Sequence, residues 1–124
     1  MVQGNVTGTS SAGGIVGYNT NTVKGMILSG TVKCINCTAR RTIGTGANSN
    51  SATLAIDSIT TNGSIPTSDI GISSVNGYTI SEDILDDINA YERVMDTYIG
   101  GDNDEDGYYL DYDENDNIVF IRIE

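Results

Sequence analysis

Carboxylates stand at alternate positions in Asp102-Asn103-Asp104-Glu105-Asp106-Gly107, the sharpest cluster of chemistry-bearing side chains in the chain. Ca²⁺ takes six to eight oxygens at about 2.3–2.6 Å, and alternate acids on a tight twelve-residue loop can all turn inward, with glycine making the sharp turn at the sixth position. In that frame Asp102, Asp104 and Asp106 hold the first, third and fifth positions and Gly107 the sixth. Tyr108, at the seventh, offers its backbone carbonyl; Asp113 stands at the twelfth, with Glu114 beside it. Without a cation these carboxylates repel one another. The competing reading is a solvated acidic turn, because Leu110 at the ninth position cannot ligate through its side chain and the residues that follow are strand-like.

The second cluster is Cys34-Ile35-Asn36-Cys37, which holds both cysteines of the chain. Zinc needs four ligands, and with no histidine and no further cysteine a thiolate–imidazole set cannot be completed. A thioredoxin-like redox site needs a βαβ context, which is absent. Two small apolar core fillers or a local disulfide remain. The lack of histidine also removes imidazole acid–base chemistry. A paired-carboxylate glycosidase needs acids on the strands, yet the short strand-like runs up to about Thr61 carry only Asp57, with Tyr18 and no tryptophan. No enzyme activity is expected.

The elements that position these clusters fall into two parts of opposite character. Residues 1–81 hold four basic and two acidic side chains; residues 82–124 hold two basic and fifteen acidic ones, so the formal charge of −11 falls on the second part. Such a tail repels phosphate and argues against nucleic acid and anionic membrane surfaces. No apolar run reaches the roughly 20 residues a membrane helix needs, so no membrane insertion is expected. Met1-Val2-Gln3-Gly4 lacks the basic and apolar regions of a signal peptide and opens directly in repeat-like sequence, from which an upstream continuation of the natural chain is expected.

Gly13-Gly14-Ile15-Val16-Gly17-Tyr18-Asn19 reads as a strand running into a corner: the apolar pair makes the strand, the glycines allow bends and close approach, and asparagine turns. Sliding the chain by 29 residues sets Gly17, Asn19 and Asn21 on Gly46, Asn48 and Asn50, with Ile27 on Ile56, a period in the range that marks stacked repeats. Short β-branched runs separated by turn clusters continue to about Thr61, with no helical spacing of apolar residues. Residues 62–80 read as an irregular exit with one edge strand at 71–75. Ser81 to Ile99 reads as one helix, N-capped by Ser81, with Ile84, Leu85, Ile88, Tyr91, Val94, Met95 and Tyr98 on its apolar face and Gly100-Gly101 ending it. That face is expected to cover the exposed last repeat. Residues 108–112 and 118–123 read as a hairpin turning at 113–117.

Gly14-Ile15-Val16-Gly17-Tyr18-Asn19, then Val23, Ser29-Gly30-Thr31-Val32 and Asn36-Cys37, resemble the GLUG-motif repeat of bacterial surface and secreted proteins. The resemblance covers about Val6 to Ile80. The following unit, Ile43-Gly44-Thr45-Gly46-Ala47-Asn48, lacks the apolar pair and the tyrosine and suits a terminal coil. The acidic loop resembles the calcium loops of dockerins, where aspartate also stands at the twelfth position. The first resemblance implies an extracellular β-solenoid, often adhesin-like, with no catalytic residues.

The expected fold is mainly β: short right-handed β-solenoid coils over 1–61, an irregular exit over 62–80, and an acidic cap over 81–124 made of one α-helix and a C-terminal β-hairpin, with Ca²⁺ held by Asp102, Asp104, Asp106, Tyr108, Asp113 and Glu114. The expected function is a non-enzymatic structural or adhesion module at the C-terminal end of an extracellular, cell-surface bacterial protein. Its expected partners are other domains of the same longer chain and a host or cell-surface glycan or protein. A phage tail-fibre or spike module and a carbohydrate-binding β-helix fragment are the alternatives.

Overall fold

A computed structural model describes residues 2–99, 108–116 and 118–122. The described chain is mainly β and divides into two compact units, Met1–Glu82 and Asp83–Glu124.

In the first unit the short runs bounded by Gly, Asn and Ser become short strands in successive passes. The first pass holds β1 (Val2–Gln3), β2 (Val6–Gly8), β3 (Ala12–Gly13) and β4 (Val16–Tyr18). The second holds β5 (Lys24–Ser29), β6 (Thr31–Cys34), β7 (Ala39–Arg40) and β8 (Ile43–Thr45). The third holds β9 (Ala52–Ile56) and β10 (Thr60–Thr61), and β11 (Tyr78–Ile80) begins a fourth. Each strand pairs with its counterpart in the next pass, giving the sheets β1-β5-β9-β11, β2-β6-β10, β3-β7 and β4-β8. Every one of these ladders is parallel. Parallel strands need long connections between partners, and here one whole pass supplies each.

The register is not a constant 29. Val6 faces Val32, Val16 faces Ile43, Lys24 faces Ala52 and Thr31 faces Thr60, so the offset grows by one residue at a time. The extra residues sit in corners: 35–38 against 9–11, 46–51 against 19–23, and 57–59 against the single residue 30. The counterpart of Gly17 is therefore Gly44 rather than Gly46, and Val16-Gly17-Tyr18 lies beside Ile43-Gly44-Thr45. A loop absorbs an inserted residue at little cost, whereas a slip inside a strand would turn its core face outward.

Ile27, Leu28, Val32, Ile43, Leu54, Ile56 and Ile59 are fully buried, each such side chain contributing about 1.5–3 kcal/mol by leaving water. All five residues of β9 are buried, as expected for a strand covered on both faces. Two positions depend on glycine. A Cβ on Gly14 would run into the carbonyl of Arg41 and the Ile27 side chain; Gly30 takes φ +108, where its Cβ would strike the Gly4 carbonyl.

Residues 69–80 cover the last pass. The carbonyl of Val75 accepts from Thr42 and Ile43, that of Ile72 accepts from Thr53, and β11 closes the edge of β9. The edge strand thus lies at 78–80 rather than at the expected 71–75, which forms turns instead. Arg41 fastens this cover. It is 1 % exposed; its Nε donates to the Asn76 carbonyl at 2.9 Å and its Nη2 to Thr79 Oγ1 at 2.7 Å, while its own N–H donates to Asn76 Oδ1 at 2.9 Å. Burial lowers the pKa of the guanidinium and the Asp57 charge raises it.

In the second unit the expected single helix is three pieces: a 3₁₀ turn (Glu82–Asp86, which begins at the junction), the helix α1 (Ile88–Val94) and a π-helical turn (Met95–Ile99). The N-cap of α1 is Asp87, not Ser81. Asp87 is extended (φ −140), and its carboxylate accepts from the N–H groups of Asn89 and Ala90. An aspartate inside a helical run competes for backbone donors in this way, and its capping starts a new helix there. Tyr91 is the fully buried member of the expected apolar face; Ile84, Leu85, Ile88, Val94 and Met95 are half-buried and Tyr98 is exposed. The strands β12 (Tyr108–Tyr112) and β13 (Ile118–Arg122) pair antiparallel, from Tyr108 opposite Arg122 to Tyr112 opposite Ile118.

The two glycines of the opening motif separate packing from mere turn-making. Gly14→Ala is expected to destabilise the chain by about 1–3 kcal/mol through overpacking. Gly17→Ala, where a Cβ would stand 3.5 Å from the nearest atom, is expected to cost much less. Urea denaturation of the two variants measures the difference.

Candidate functional site

Two clefts of the described residues, one in each unit, bring candidate groups together. The first lies at the corner after β6. Cys34 is buried at the end of that strand and Cys37 half-buried after the turn, and the two are joined by a disulfide, with their Cα atoms 5.1 Å apart. Of the readings open for this pair, core fillers are thereby replaced by the bonded form. Asn36 turns the corner at φ +60, a left-handed conformation that asparagine tolerates.

Asn62 clasps this corner from the next pass. Its N–H donates to the Val32 carbonyl at 2.9 Å, its Oδ1 accepts from Cys34 N–H at 2.8 Å, and its Nδ2 donates to the Cys37 carbonyl at 3.0 Å. The strand β10 ends at Thr61, one pairing after its start, so on that side β6 lacks a strand partner beyond Val32, while β2 continues to pair with it on the other. The carboxamide of Asn62 fills that gap with the groups a strand would have offered. Asn62 and Gly63 both take positive φ, closing a tight turn in which Thr61 and Ser64 exchange hydrogen bonds.

Between these parts lies a cavity of about 670 Å³, bordered by Thr31, Lys33, Ile35, Asn36, Thr60 and Asn62. Its size is that of small-ligand sites, about 300–1,000 Å³. Its polar groups are hydroxyls, amides and one ammonium. Among the described residues, Lys33 is its one charged side chain and no carboxylate borders it. Thr31 is already engaged with Asn5: its N–H donates to Asn5 Oδ1 at 3.0 Å and its hydroxyl does so at 3.2 Å. Such a set can hold a polar, neutral or anionic group; it offers no acid–base pair.

The second cleft, about 250 Å³, is bordered by Leu85, Asp86, Tyr112 and Asp116. The Tyr112 hydroxyl donates to the Leu85 carbonyl at 2.8 Å. Its pKa is raised by desolvation and by the charges of Asp86, Asp87 and Asp116, all of which disfavour a phenolate. In α1 the Tyr91 hydroxyl is buried with no hydrogen-bond partner among the described residues, and burial pushes its pKa up to about 12.

Of the expected calcium ligands, Asp102, Asp104 and Asp106 lie outside the described residues. The backbone of Tyr108 belongs to β12. Asp113 begins the hairpin turn: its Oδ1 accepts from Asn115 N–H at 2.9 Å and its carbonyl from Asp116 N–H at 3.0 Å. Glu114 is exposed in that turn. Among the described residues no three Cys, Asp or Glu side chains converge to hold a metal ion.

Sequence reading passed over Asn62 and Arg41 as working residues. Asn62-Gly63 signals a left-handed turn, but what its side chain bonds to depends on a corner 25 residues earlier. Nothing in the sequence marks Arg41 as buried, because its partners lie 35 to 38 residues further on. No protein-family model matches the chain, and neither a curated protein nor a solved structure does.

Two sets of variants test these assignments. Asn62→Ala loses both the carboxamide and the left-handed tolerance and is expected to destabilise by about 2–4 kcal/mol. Asn62→Gly, which keeps the turn, is expected to cost about half as much by denaturant titration, with the Cys34–Cys37 bond reduced faster in both variants. The neutral form of Tyr91 is favoured in the folded state, so its contribution is present below pH 10 and lost as pH rises through its folded pKa of about 12. Tyr91→Phe is expected to flatten that alkaline loss of stability without lowering stability at neutral pH, read by thermal melts against pH.

Proposed function

We propose that the first unit is a short right-handed β-solenoid and that the chain is a non-enzymatic structural or adhesion module of a bacterial cell-surface repeat protein. The observation that carries this reading is the parallel pairing of strands 24 to 29 residues apart in four separate sheets. One winding direction accounts for all of it, and a right-handed sense follows from the strong preference of parallel crossovers. The likeness of Gly14-Ile15-Val16-Gly17-Tyr18-Asn19 to GLUG-motif repeats supports the same reading. The Cys34–Cys37 disulfide supports an oxidising, extracellular setting.

Calcium binding by Asp102, Asp104, Asp106, Tyr108, Asp113 and Glu114 is part of the proposal, on the strength of their spacing. A saccharide-binding role is the second reading, favoured by the hydroxyl- and amide-bordered cleft at the disulfide corner. In both readings the partners are other domains of a longer chain and a surface glycan or protein.

Calorimetric titration with Ca²⁺ tests the loop: uptake is expected, with stability rising by about 2.7 kcal/mol at a hundredfold excess over Kd, and Asp104→Asn is expected to abolish both effects. Absence of uptake at millimolar Ca²⁺ removes calcium from the proposal. Thiol labelling of the protein in its native host tests the setting: a surface-exposed, thiol-free protein is expected, and a cytoplasmic protein with free Cys34 and Cys37 overturns the extracellular reading. Saturable hits on a glycan array, weakened by Lys33→Ala, would favour the saccharide role.

A further inference from the structure

Asparagine followed by glycine is the pair most open to loss of its side-chain amide, because no side chain hinders the glycine nitrogen on its way to the carboxamide carbon. The chain has two such pairs, Asn62-Gly63 and Asn76-Gly77. In both, the fold holds the carboxamide at each end. Asn62 Oδ1 accepts from Cys34 N–H at 2.8 Å and its Nδ2 donates to the Cys37 carbonyl at 3.0 Å. Asn76 Oδ1 accepts from Arg41 N–H at 2.9 Å and its Nδ2 donates to the Ser68 carbonyl at 2.9 Å. A carboxamide held in this way cannot swing its carbon toward the next backbone nitrogen.

The two pairs differ in their surroundings. Asn76 and Gly77 are buried, and Gly77 N–H is engaged by the Ser74 carbonyl at 3.0 Å. Asn62 and Gly63 are exposed, and Gly63 N–H donates to no described residue. Water and a free backbone nitrogen are thus both at hand beside Asn62, and the hydrogen bonds of its carboxamide hold it back. Those bonds end on the two halves of the disulfide. Cys34 is fixed in β6, whereas Cys37 follows a turn in which Ile35 and Asn36 are exposed, and the disulfide ties it back to the strand. The grip on Asn62 Nδ2 therefore depends on that bond, while the grip on Asn76 comes from Arg41 and Ser68.

We propose that Asn62 is a deamidation site gated by the Cys34–Cys37 disulfide. A small thiol reduces the bond and is itself oxidised to its disulfide; both cysteines become thiols, and the carboxamide of Asn62 is released. The Gly63 nitrogen then gives its proton to hydroxide and bonds to Asn62 Cγ, and Nδ2 leaves as ammonia. Water opens the cyclic imide to aspartate or isoaspartate. The change runs one way. A carboxylate at 62 has no donor for the Cys37 carbonyl, and isoaspartate lengthens the backbone of the turn. Conversion also sets a negative charge on the border of the cleft beside Lys33. The proposal rests on this corner alone and stands whether or not the adhesion reading does.

Peptide mass spectrometry of the full chain tests it, after incubation at mildly alkaline pH with the disulfide intact and after reduction by a thiol without denaturant. Asn62 is expected to convert about tenfold faster in the reduced protein, the factor that one lost hydrogen bond supplies, with Asn76 slow in both. Cys37→Ser, without reductant, is expected to convert as the reduced protein does. The converted chain, once reoxidised, is expected to lose its disulfide to thiol faster than the unconverted chain. Equal rates at Asn62 in bonded and unbonded chains overturn the gate, and no conversion at Asn62 in either overturns the site. Conversion of Asn76 in step with Asn62 marks opening of the whole unit and overturns the local mechanism.

Discussion

Backbone hydrogen bonding between one pass of the chain and the next is the constraint on which the first unit depends. Its strands are two to six residues long, too short to hold a sheet through side chains alone. They persist because four sheets share the same passes, so a slip in one would have to be made in all. Corners take up the length differences instead, which is why Val6, Val16, Lys24 and Thr31 meet partners at steadily growing separations. At these corners asparagine side chains extend the ladder where strands stop. Asn5 accepts from Thr31, Asn19 donates to the Gly46 carbonyl and Asn62 bridges Cys34 and Cys37. A carboxamide carries the donor and acceptor of a peptide group on a short stem, so it can stand in for a strand residue with no strand behind it.

The same constraint governs the end of the unit. After β10 the chain no longer supplies full-length partners, and the groups left over on the second and third passes need satisfaction. Residues 69–80 provide it with carbonyls and one asparagine. Arg41 projects among them, donating to the Asn76 carbonyl and the Thr79 hydroxyl while no carboxylate lies in salt-bridge contact among the described residues. A guanidinium is well suited to that place, because its fixed fork of donors can serve several carbonyls and it is hydrated less strongly than an ammonium. The Thr42–Thr53 hydroxyl pair beside it, 2.9 Å apart and buried, carries the polar network onward to the Val75 carbonyl.

Charge and reactivity are segregated along the chain. The disulfide removes both thiols from nucleophilic and metal chemistry and leaves the first unit with hydroxyls, amides, four cations and few carboxylates. The carboxylates crowd into the second part, where Asp87 caps a helix, Asp113 opens a hairpin turn and Asp86 and Asp116 flank the Tyr112 hydroxyl. Several acids of this part thus do local structural work on backbone N–H groups, which stabilises a strongly acidic segment against its own repulsion.

By itself the sequence determined what depends on neighbours along the chain. The β-branched runs between Gly, Asn and Ser clusters read as short strands, the acidic run at 113–117 as the hairpin turn, and the apolar spacing over 84–98 as helical. Pairings across space were decided by the tertiary structure. Gly17 lies beside Gly44 and not beside its best sequence match, Gly46, because burial and backbone pairing set the register while corners lengthen freely. Asp87 rather than Ser81 caps the helix, since an internal carboxylate that can reach two backbone donors interrupts the run. The edge strand formed at Tyr78–Ile80, where β9 offered unpaired groups, and the roles of Asn62 and Arg41 exist only because segments 25 to 38 residues apart are brought into contact.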